Sequence, residues 1–360
     1  MNALSLRIPS SMFFFRNKMG LPGVAGALIL CAVSVPAVAQ VEKASLKFSQ
    51  GWLFQATQAQ FPLTADKDYW KAEGLEVAID RGSGSATSVQ RVVSGAYDLA
   101  YADVGTVIKW NLENPGRELL MVYVAEDACP LVAVSLKKTG ITKPKDLEGK
   151  RMGAPNFDGG RQMFPVFAKV NGLDTSKISW LSMDANLREQ MLVRGEVDAI
   201  TGFLTSAVPS LAAIGAKPAD LNIVRYDTNG LDCYGNAVIA MREFVEKNPR
   251  TIGAFVKGLN RGMKEMVADP KAGVEALKGR DPLINADNET QRMALYIKEL
   301  LLTPNVKANG FSSVSQAKLQ KSIESVIEAF GAKTTVTAAS LYTDRFLPPK
   351  ADRIPPAYKE

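Results

Sequence analysis

The sequence predicts an α/β protein of two similar lobes, each built on a largely parallel sheet. Three observations carry that expectation. Strand-like and helix-like segments alternate through the first two-thirds of the chain, the order that builds parallel sheets flanked by helices. A pattern near residue 90 returns one hundred residues later: Gln90, Val93, Gly95 and Asp98 recur as Gln190, Val193, Gly195 and Asp198. In both copies an amphipathic helix stops at a glycine suited to a left-handed residue, and an aspartate leads into a short apolar strand. Finally, 360 residues with 46% apolar and 22% charged composition suffice for two ordinary cores at ~100–200 residues per domain.

Taken in order, Leu46–Ser49 opens as a strand, a helix is expected over 60–73, and Leu75–Ile79 forms a second strand between Gly74 and Gly82. A helix over 86–94 ends at Gly95, and Asp98–Asp103 follows as a strand. The runs 119–125 and 131–135 are apolar and β-rich, hence buried strands, and 151–154 is another. Beyond residue 243 the chain turns helical, with Asn248-Pro249 and Asp269-Pro270 as cap-then-proline starts. Apolar stripes at helical spacing follow: Ile252, Phe255, Val256, Leu259, Met263 and Met266, then Met293, Tyr296, Ile297, Leu300 and Leu301, then Leu319, Ile323, Val326, Ile327 and Phe330. These are core-facing surfaces of packed helices. The proline-rich end, 346–360, reads as an extended tail.

Before Gln40 the chain has the order of a secretory leader: Arg7, Arg16 and Lys18, then an apolar run from Leu21 to Val35, then Ala37-Val38-Ala39. Cleavage is expected after Ala39, which sends the mature chain out of the cytoplasm into an oxidising compartment. Pro22, Pro36 and the early glycines argue against a retained anchor, and Leu30 before Cys31 argues against a lipidated cysteine. The leader holds three of the 43 basic residues and none of the 37 acidic ones, so the net charge of +6 falls to +3. So weak a bias supplies no reason to expect a nucleic-acid partner. Two cysteines remain, Cys129 and Cys233. In an oxidising compartment they are a disulfide candidate, with two separate buried thiols as the equal alternative.

The chain contains no histidine, which removes every imidazole-based nucleophile, zinc site and general base. No phosphate-binding loop, CxxC pair or metal-spaced carboxylate array is present in the sequence either, so no cofactor and no metal are expected. Three loops are candidates for ligand contact. The first, Arg81 to Thr87, follows a strand and opens a helix, where Ser83, Gly84 and Ser85 offer amides and hydroxyls to an oxyanion, or simply cap the helix. The second, Asn156 to Arg161, combines Phe157, Asp158, Gly160 and Arg161, the arginine being able to grip an oxyanion or to pair with Asp158. The third holds Trp52, Phe54, Gln55 and Gln58, a stacking wall or a core plug.

Several of these segments together resemble the periplasmic solute-binding proteins of the nitrate/sulfonate/taurine type, a group that includes binders of thiamine-pyrimidine precursors. The segments are Gly74-Leu75-Glu76-Val77, Gly82 to Ser85, Ser94 to Asp98, Lys145 to Lys150, Arg194 to Ala199, Tyr234 to Ala237 with Phe244 to Pro249, and Tyr342 to Pro348. The resemblance implies a type II periplasmic-binding-protein fold. Its first lobe would run over 44–143 and 230–345, with 144–229 inserted as the second. By position it implies a ligand site of Trp52, Gln55, Ser83, Gly84, Ser85 and Asp103 from one side, Phe157, Asp158, Gly160, Arg161 and Phe203 from the other, and Tyr234 and Asn236 at the return crossing. The function implied is a monomeric receptor that closes on a small aromatic or heterocyclic carboxylate or sulfonate and presents it to the permease of an ABC importer. A thiamine-related pyrimidine precursor is the alternative ligand. The yeast-type pyrimidine synthase on the same fold consumes an active-site histidine and carries a cysteine-rich motif. Because this sequence has neither, the expectation is a binding protein and not an enzyme.

Overall fold

The computed structural model describes residues 40–333 and 336–358, together with Ser11 and Phe14. The expected leader and its cleavage point at Ala39 thus lie outside the described residues. Among the described residues there are ten strands: β1 (Ser45–Ser49), β2 (Glu76–Asp80), β3 (Leu99–Asp103), β4 (Leu119–Val124), β5 (Leu131–Leu136), β6 (Arg151–Gly153), β7 (Ser179–Leu181), β8 (Ala199–Phe203), β9 (Leu221–Arg225) and β10 (Asn236–Met241). They form two sheets of five, ordered β2-β1-β3-β10-β4 and β7-β6-β8-β5-β9. In each sheet the first three strands are parallel, and the fourth runs antiparallel to both its neighbours. This is an α/β type II binding-protein architecture, with two lobes facing one another across a cleft.

The hundred-residue repeat has a structural cause. Gly95 and Gly195 take φ of +76° and +75°, a conformation without steric cost only for glycine. Asp98 Oδ2 then accepts the backbone N–H of Lys47 at 2.9 Å, and Asp198 Oδ2 accepts that of Arg151 at 2.8 Å. Each aspartate therefore registers two parallel neighbours, β3 against β1 in the first sheet and β8 against β6 in the second.

Strand β5 pairs with β8 and β9 in the second sheet, so the first crossing lies at 125–130 and the expected lobe boundary at 143/144 is corrected. Runs 119–125 and 131–135 are equally apolar, and burial alone does not say which sheet receives a strand. The helix expected over 60–73 stops at Asp66. Asp68 takes φ +53° and turns Trp70 under the long helix Pro249–Ala268, where its indole donates to Phe255 O at 2.9 Å and stacks on the Phe255 ring at 4.8 Å. The tail also departs from the expectation of a free extended segment. Arg353 donates to Phe311 O at 2.6 Å, Ser313 Oγ at 2.8 Å and Pro348 O at 3.0 Å, which docks it. The first two helical stripes are wholly buried; of the third, Leu319, Ile323 and Val326 are buried, whereas Ile327 and Phe330 are only partly so. Among the described residues no helix is long and apolar enough to cross a membrane.

Both crossings run side by side. Ala125 N–H donates to Asn236 O at 3.0 Å, Gly235 N–H donates to Glu126 O at 3.0 Å, and a disulfide joins Cys129 to Cys233. Its sequence separation is 104. A loop near 100 residues long implies about 4.7 kcal/mol from restricting the unfolded chain, and removing a native disulfide commonly costs ~2–5 kcal/mol. Urea unfolding with and without reductant should therefore show a stability loss of about 2–5 kcal/mol on reduction. No change in the midpoint would mean that the crossings are held by their hydrogen bonds alone.

Candidate functional site

Where the strand ends of the two lobes meet, they enclose a cavity of about 30 Å³. The first lobe contributes Gly51, Trp52, Thr57, Gln58, Gly84, Ser85 and Asn236. The second contributes Asp158, Gly159, Arg188, Phe203 and Ser206. The volume suits one or two waters, against ~150 Å³ for a cavity that takes benzene. A ring-sized ligand therefore needs more room than the cavity offers here.

The contacts across the cleft are specific. Ser206 Oγ donates to Gln55 Oε1 at 2.9 Å, and the Arg188 guanidinium lies over the Trp52 ring at 5.1 Å. Ala86 N–H donates to Phe157 O at 3.3 Å. On the helix Ala286–Tyr296, buried Arg292 donates to Thr205 O at 3.0 Å and Ser206 O at 2.7 Å, while Glu289 holds its Nε at 3.0 Å and accepts Ala56 N–H at 2.6 Å. Closure is thus written in polar contacts outside the cavity as well as within it.

Charge inside the site is mostly negative. Arg188, 1% exposed, donates to Asp158 Oδ2 at 3.3 Å and to Glu189 Oε1 at 2.6 Å. Burial disfavours its charge, but those two carboxylates outweigh burial and hold the guanidinium above its ordinary value. Asp158 is raised by burial, against the pull of Arg188. Asp103 Oδ1 caps the helix Val104–Glu113 by accepting Thr106 N–H at 2.8 Å, and its Oδ2 has no partner. Burial, reinforced by the charges of Glu126 and Asp158, pushes the Asp103 carboxyl up to about 7. Glu126 on the first crossing is likewise pushed up to about 7 by burial, in spite of hydrogen bonds from Asn236 and Tyr101.

These two carboxyls set a pH dependence. Free carboxyls lose their protons near pH 4, whereas Asp103 and Glu126 keep theirs to about 7. Between those values the folded chain binds more protons than the unfolded chain, so stability falls as pH rises through that window. Carboxylates held low act the other way, and only at more acid pH. Glu42, kept at about 2 despite its burial cost by bonds from Thr251 and Arg250, is one. Thermal melts should peak at mildly acid pH and decline toward neutrality, and the decline should shrink in Asp103→Asn. A flat profile from pH 4 to 8 would contradict the assignment.

The structure brings together only part of the expected set. Trp52, Gly84, Ser85, Asp158, Phe203 and Asn236 line the cavity; Gln55 sits at its mouth in the bond to Ser206, and Asp103 lies just behind, its Cβ 3.2 Å from where a Gly159 side chain would begin. The others point elsewhere. Ser83 is exposed and donates to Thr87 Oγ1 at 3.3 Å. The Phe157 ring is 51% exposed, and only its carbonyl reaches the cleft. Gly160 packs against Gly202, its carbonyl accepting from Tyr226 at 3.4 Å. Arg161 turns away, donating to Ala154 O at 2.8 Å and Ser182 Oγ at 2.9 Å and covering the Trp180 ring. The Tyr234 hydroxyl accepts Ser315 N–H at 2.8 Å.

Part of each helix start is already engaged. In the first loop the Ser85 hydroxyl accepts Asp103 N–H at 3.0 Å and Ala86 N–H is spent on Phe157 O. In the second, Asp158 Oδ1 already accepts Arg161 N–H at 2.9 Å, placing a carboxylate where an anion would sit. Sequence reasoning missed Arg188, the cation of the site. Its signal was a lone arginine on the face shared with Met191 and Leu192, at spacings of three and four.

A family profile described as NMT1/THI5 like matches residues 56–273, more than half of the chain. The protein belongs to the NMT1/THI5-like family. Among solved structures, this family member resembles the alkanesulfonate-binding protein SsuA from Xanthomonas axonopodis pv. citri at a TM-score of 0.65 and 14% identity, covering 84% of this chain and 99% of that one. The periplasmic nitrate-binding protein NrtA from Synechocystis PCC 6803 gives a TM-score of 0.66 at 10% identity, over 88% and 92% of the two chains. Both likenesses establish the periplasmic-binding fold. Curated relatives carry a different name. The 4-amino-5-hydroxymethyl-2-methylpyrimidine phosphate synthase of Aspergillus parasiticus is 23% identical over 66% of this chain and 71% of its own. That of Legionella pneumophila is 22% identical over 64% and 79%. The expectation that the NMT1/THI5-like protein is not an enzyme is therefore corrected: its matched relatives are named as enzymes, and a missing histidine excludes imidazole chemistry only.

Proposed function

We propose that this protein captures a 4-aminopyrimidine of the thiamine-precursor kind in its interlobe cavity. The observation that carries the reading is the balance of charge there: Asp158 lines the cavity, and the Arg188 cation beside it is already shared by Asp158 and Glu189. An alkanesulfonate or carboxylate would meet a net negative site, whereas an aminopyrimidine brings N–H donors to it and a flat ring to Trp52 and Phe203. The names of the curated relatives support the same ring. We further propose that the segment up to Ala39 exports the chain to the periplasm, and that the closed lobes present the ligand to an ABC permease. Structural neighbours described as a ligand-binding component of an ABC-type import system and as a sulfonate ABC transporter protein support that partner.

A second reading, synthesis of the pyrimidine, is favoured by the relatives' names. Here Asp103 and Glu126 are the groups whose carboxyls sit near neutrality and so suit proton transfer.

Calorimetry and thermal shift on residues 40–360 test both. The probes are 4-amino-5-hydroxymethyl-2-methylpyrimidine, an alkanesulfonate and benzoate. A ligand at 100 times its Kd adds about 2.7 kcal/mol, and the aminopyrimidine should do so. Binding of the anions alone would overturn the proposal. Pyrimidine formed by the protein itself would move the assignment to the second reading.

A further inference from the structure

We propose that Glu126 is a positioning residue that decides which end of the Asn236 side-chain amide the cavity sees, and so whether the ligand atom meeting it must be an N–H or a lone pair. The inference rests on the interlobe cavity being the ligand site. Glu126 is 1% exposed and lies on the first crossing; Asn236 starts β10 at the return crossing and lines the cavity.

The wiring leaves little freedom. Asn236 backbone N–H donates to Glu126 Oε2 at 3.0 Å, and a backbone N–H can do nothing but donate. Glu126 Oε1 accepts Asn236 Nδ2 at 3.1 Å and the Tyr101 hydroxyl at 3.1 Å. Above pH 7, where Glu126 is ionised and can only accept, the Asn236 amide must turn its NH₂ toward Glu126. Its Oδ1 is then left for the cavity, with no protein donor on it among the described residues. Gly235 makes the approach possible, since a Cβ there would stand 2.2 Å from Glu126 Oε2. The cavity is thereby given an acceptor, the partner of an exocyclic amino group.

Exchanging Glu126 for glutamine keeps shape and reverses the wiring. The backbone N–H of Asn236 claims the one oxygen of the new amide, so its NH₂ falls where Oε1 was. Asn236 then satisfies that donor only by presenting Oδ1 to it, the Tyr101 hydroxyl turns to accept, and Nδ2 swings into the cavity. The site now offers a donor, the partner of a ring carbonyl.

The test measures Kd at pH 8.5, where Glu126 is ionised, for 4-amino-5-hydroxymethyl-2-methylpyrimidine and its 4-oxo counterpart with wild type, Glu126→Gln, Asn236→Ala and the double variant. Wild type should prefer the amino ring by roughly tenfold, as one hydrogen bond allows, and Glu126→Gln should reverse the preference. With Asn236→Ala in place, the exchange at Glu126 should no longer move the ratio. A merely structural Glu126 would weaken both ligands alike or keep the amino preference, and either result overturns the inference while the proposed function stands. Wild type that binds neither ring overturns the proposed function and the inference with it. Should Glu126→Gln fail to fold, a wild-type preference that survives Asn236→Ala overturns the inference, and one that vanishes supports it.

Discussion

Replacing Gly84 by alanine should weaken ligand binding by roughly 5- to 150-fold. Gly84 takes φ +141°, and a Cβ there would stand 2.3 Å from the Phe157 carbonyl oxygen of the opposite lobe. Backbone faces backbone at this point, so no side chain can move aside. Relief comes only from parting the lobes or distorting the loop. Overpacking of this kind costs about 1–3 kcal/mol, and each 1.4 kcal/mol is tenfold in affinity. The unfavourable φ adds strain to the open form as well, so the variant should also melt at lower temperature without ligand. Titration calorimetry reads the first effect and a ligand-free melt the second. Phe157→Ala is the control: it keeps the carbonyl and removes an exposed ring, and affinity should hold. Wild-type affinity in Gly84→Ala would show that the two loops do not approach when ligand is bound.

The Arg188→Met variant should be destabilised by about 3–5 kcal/mol. Arg188 is the buried partner of both Asp158 and Glu189. Removing one member of such a cluster leaves uncompensated charge in a dry site, the costly half of the comparison between broken and absent ion pairs. The sign with pH follows from the carboxylates left behind. Without the guanidinium the already raised pKa of Asp158 climbs further, protons bind more tightly to the folded chain, and the deficit against wild type should narrow as pH falls. Urea unfolding at pH 5 and pH 8 measures both parts. Adding Asp158→Asn to Arg188→Met should recover part of the loss, because an amide needs no counter-charge. A loss below 1 kcal/mol at pH 8 would mean that water reaches the cluster.

The parts of the fold legible in the sequence are those set by neighbours along the chain. Gly95 and Gly195 with their following aspartates act within a few residues of the strands they register, and the stripe from Ile252 to Met266 reflects one helix face. Site residues depend instead on which way a side chain turns after the chain has folded. Arg161 and Arg188 both stand close to helix starts. Arg161 finds a carbonyl, a hydroxyl and an indole face on its own lobe, whereas Arg188 finds two carboxylates and the ring across the cleft. No local pattern separates them. Nor does composition assign β5 to a sheet, because its partners β8 and β9 lie more than sixty residues downstream.

The strand order of the first sheet has a consequence for the nascent chain. Strand β10 sits between β3 and β4, yet more than a hundred residues separate it from either in sequence. Until residue 241 has emerged, β4 has no partner in its own sheet and β3 carries an open edge. The second sheet, whose strands all lie between 131 and 225, is finished before that. During vectorial delivery the inserted lobe can therefore assemble first and serve as the surface on which its divided neighbour closes. The unpaired edges of β3 and β4 are the stretch that calls for protection from misassociation in the interval.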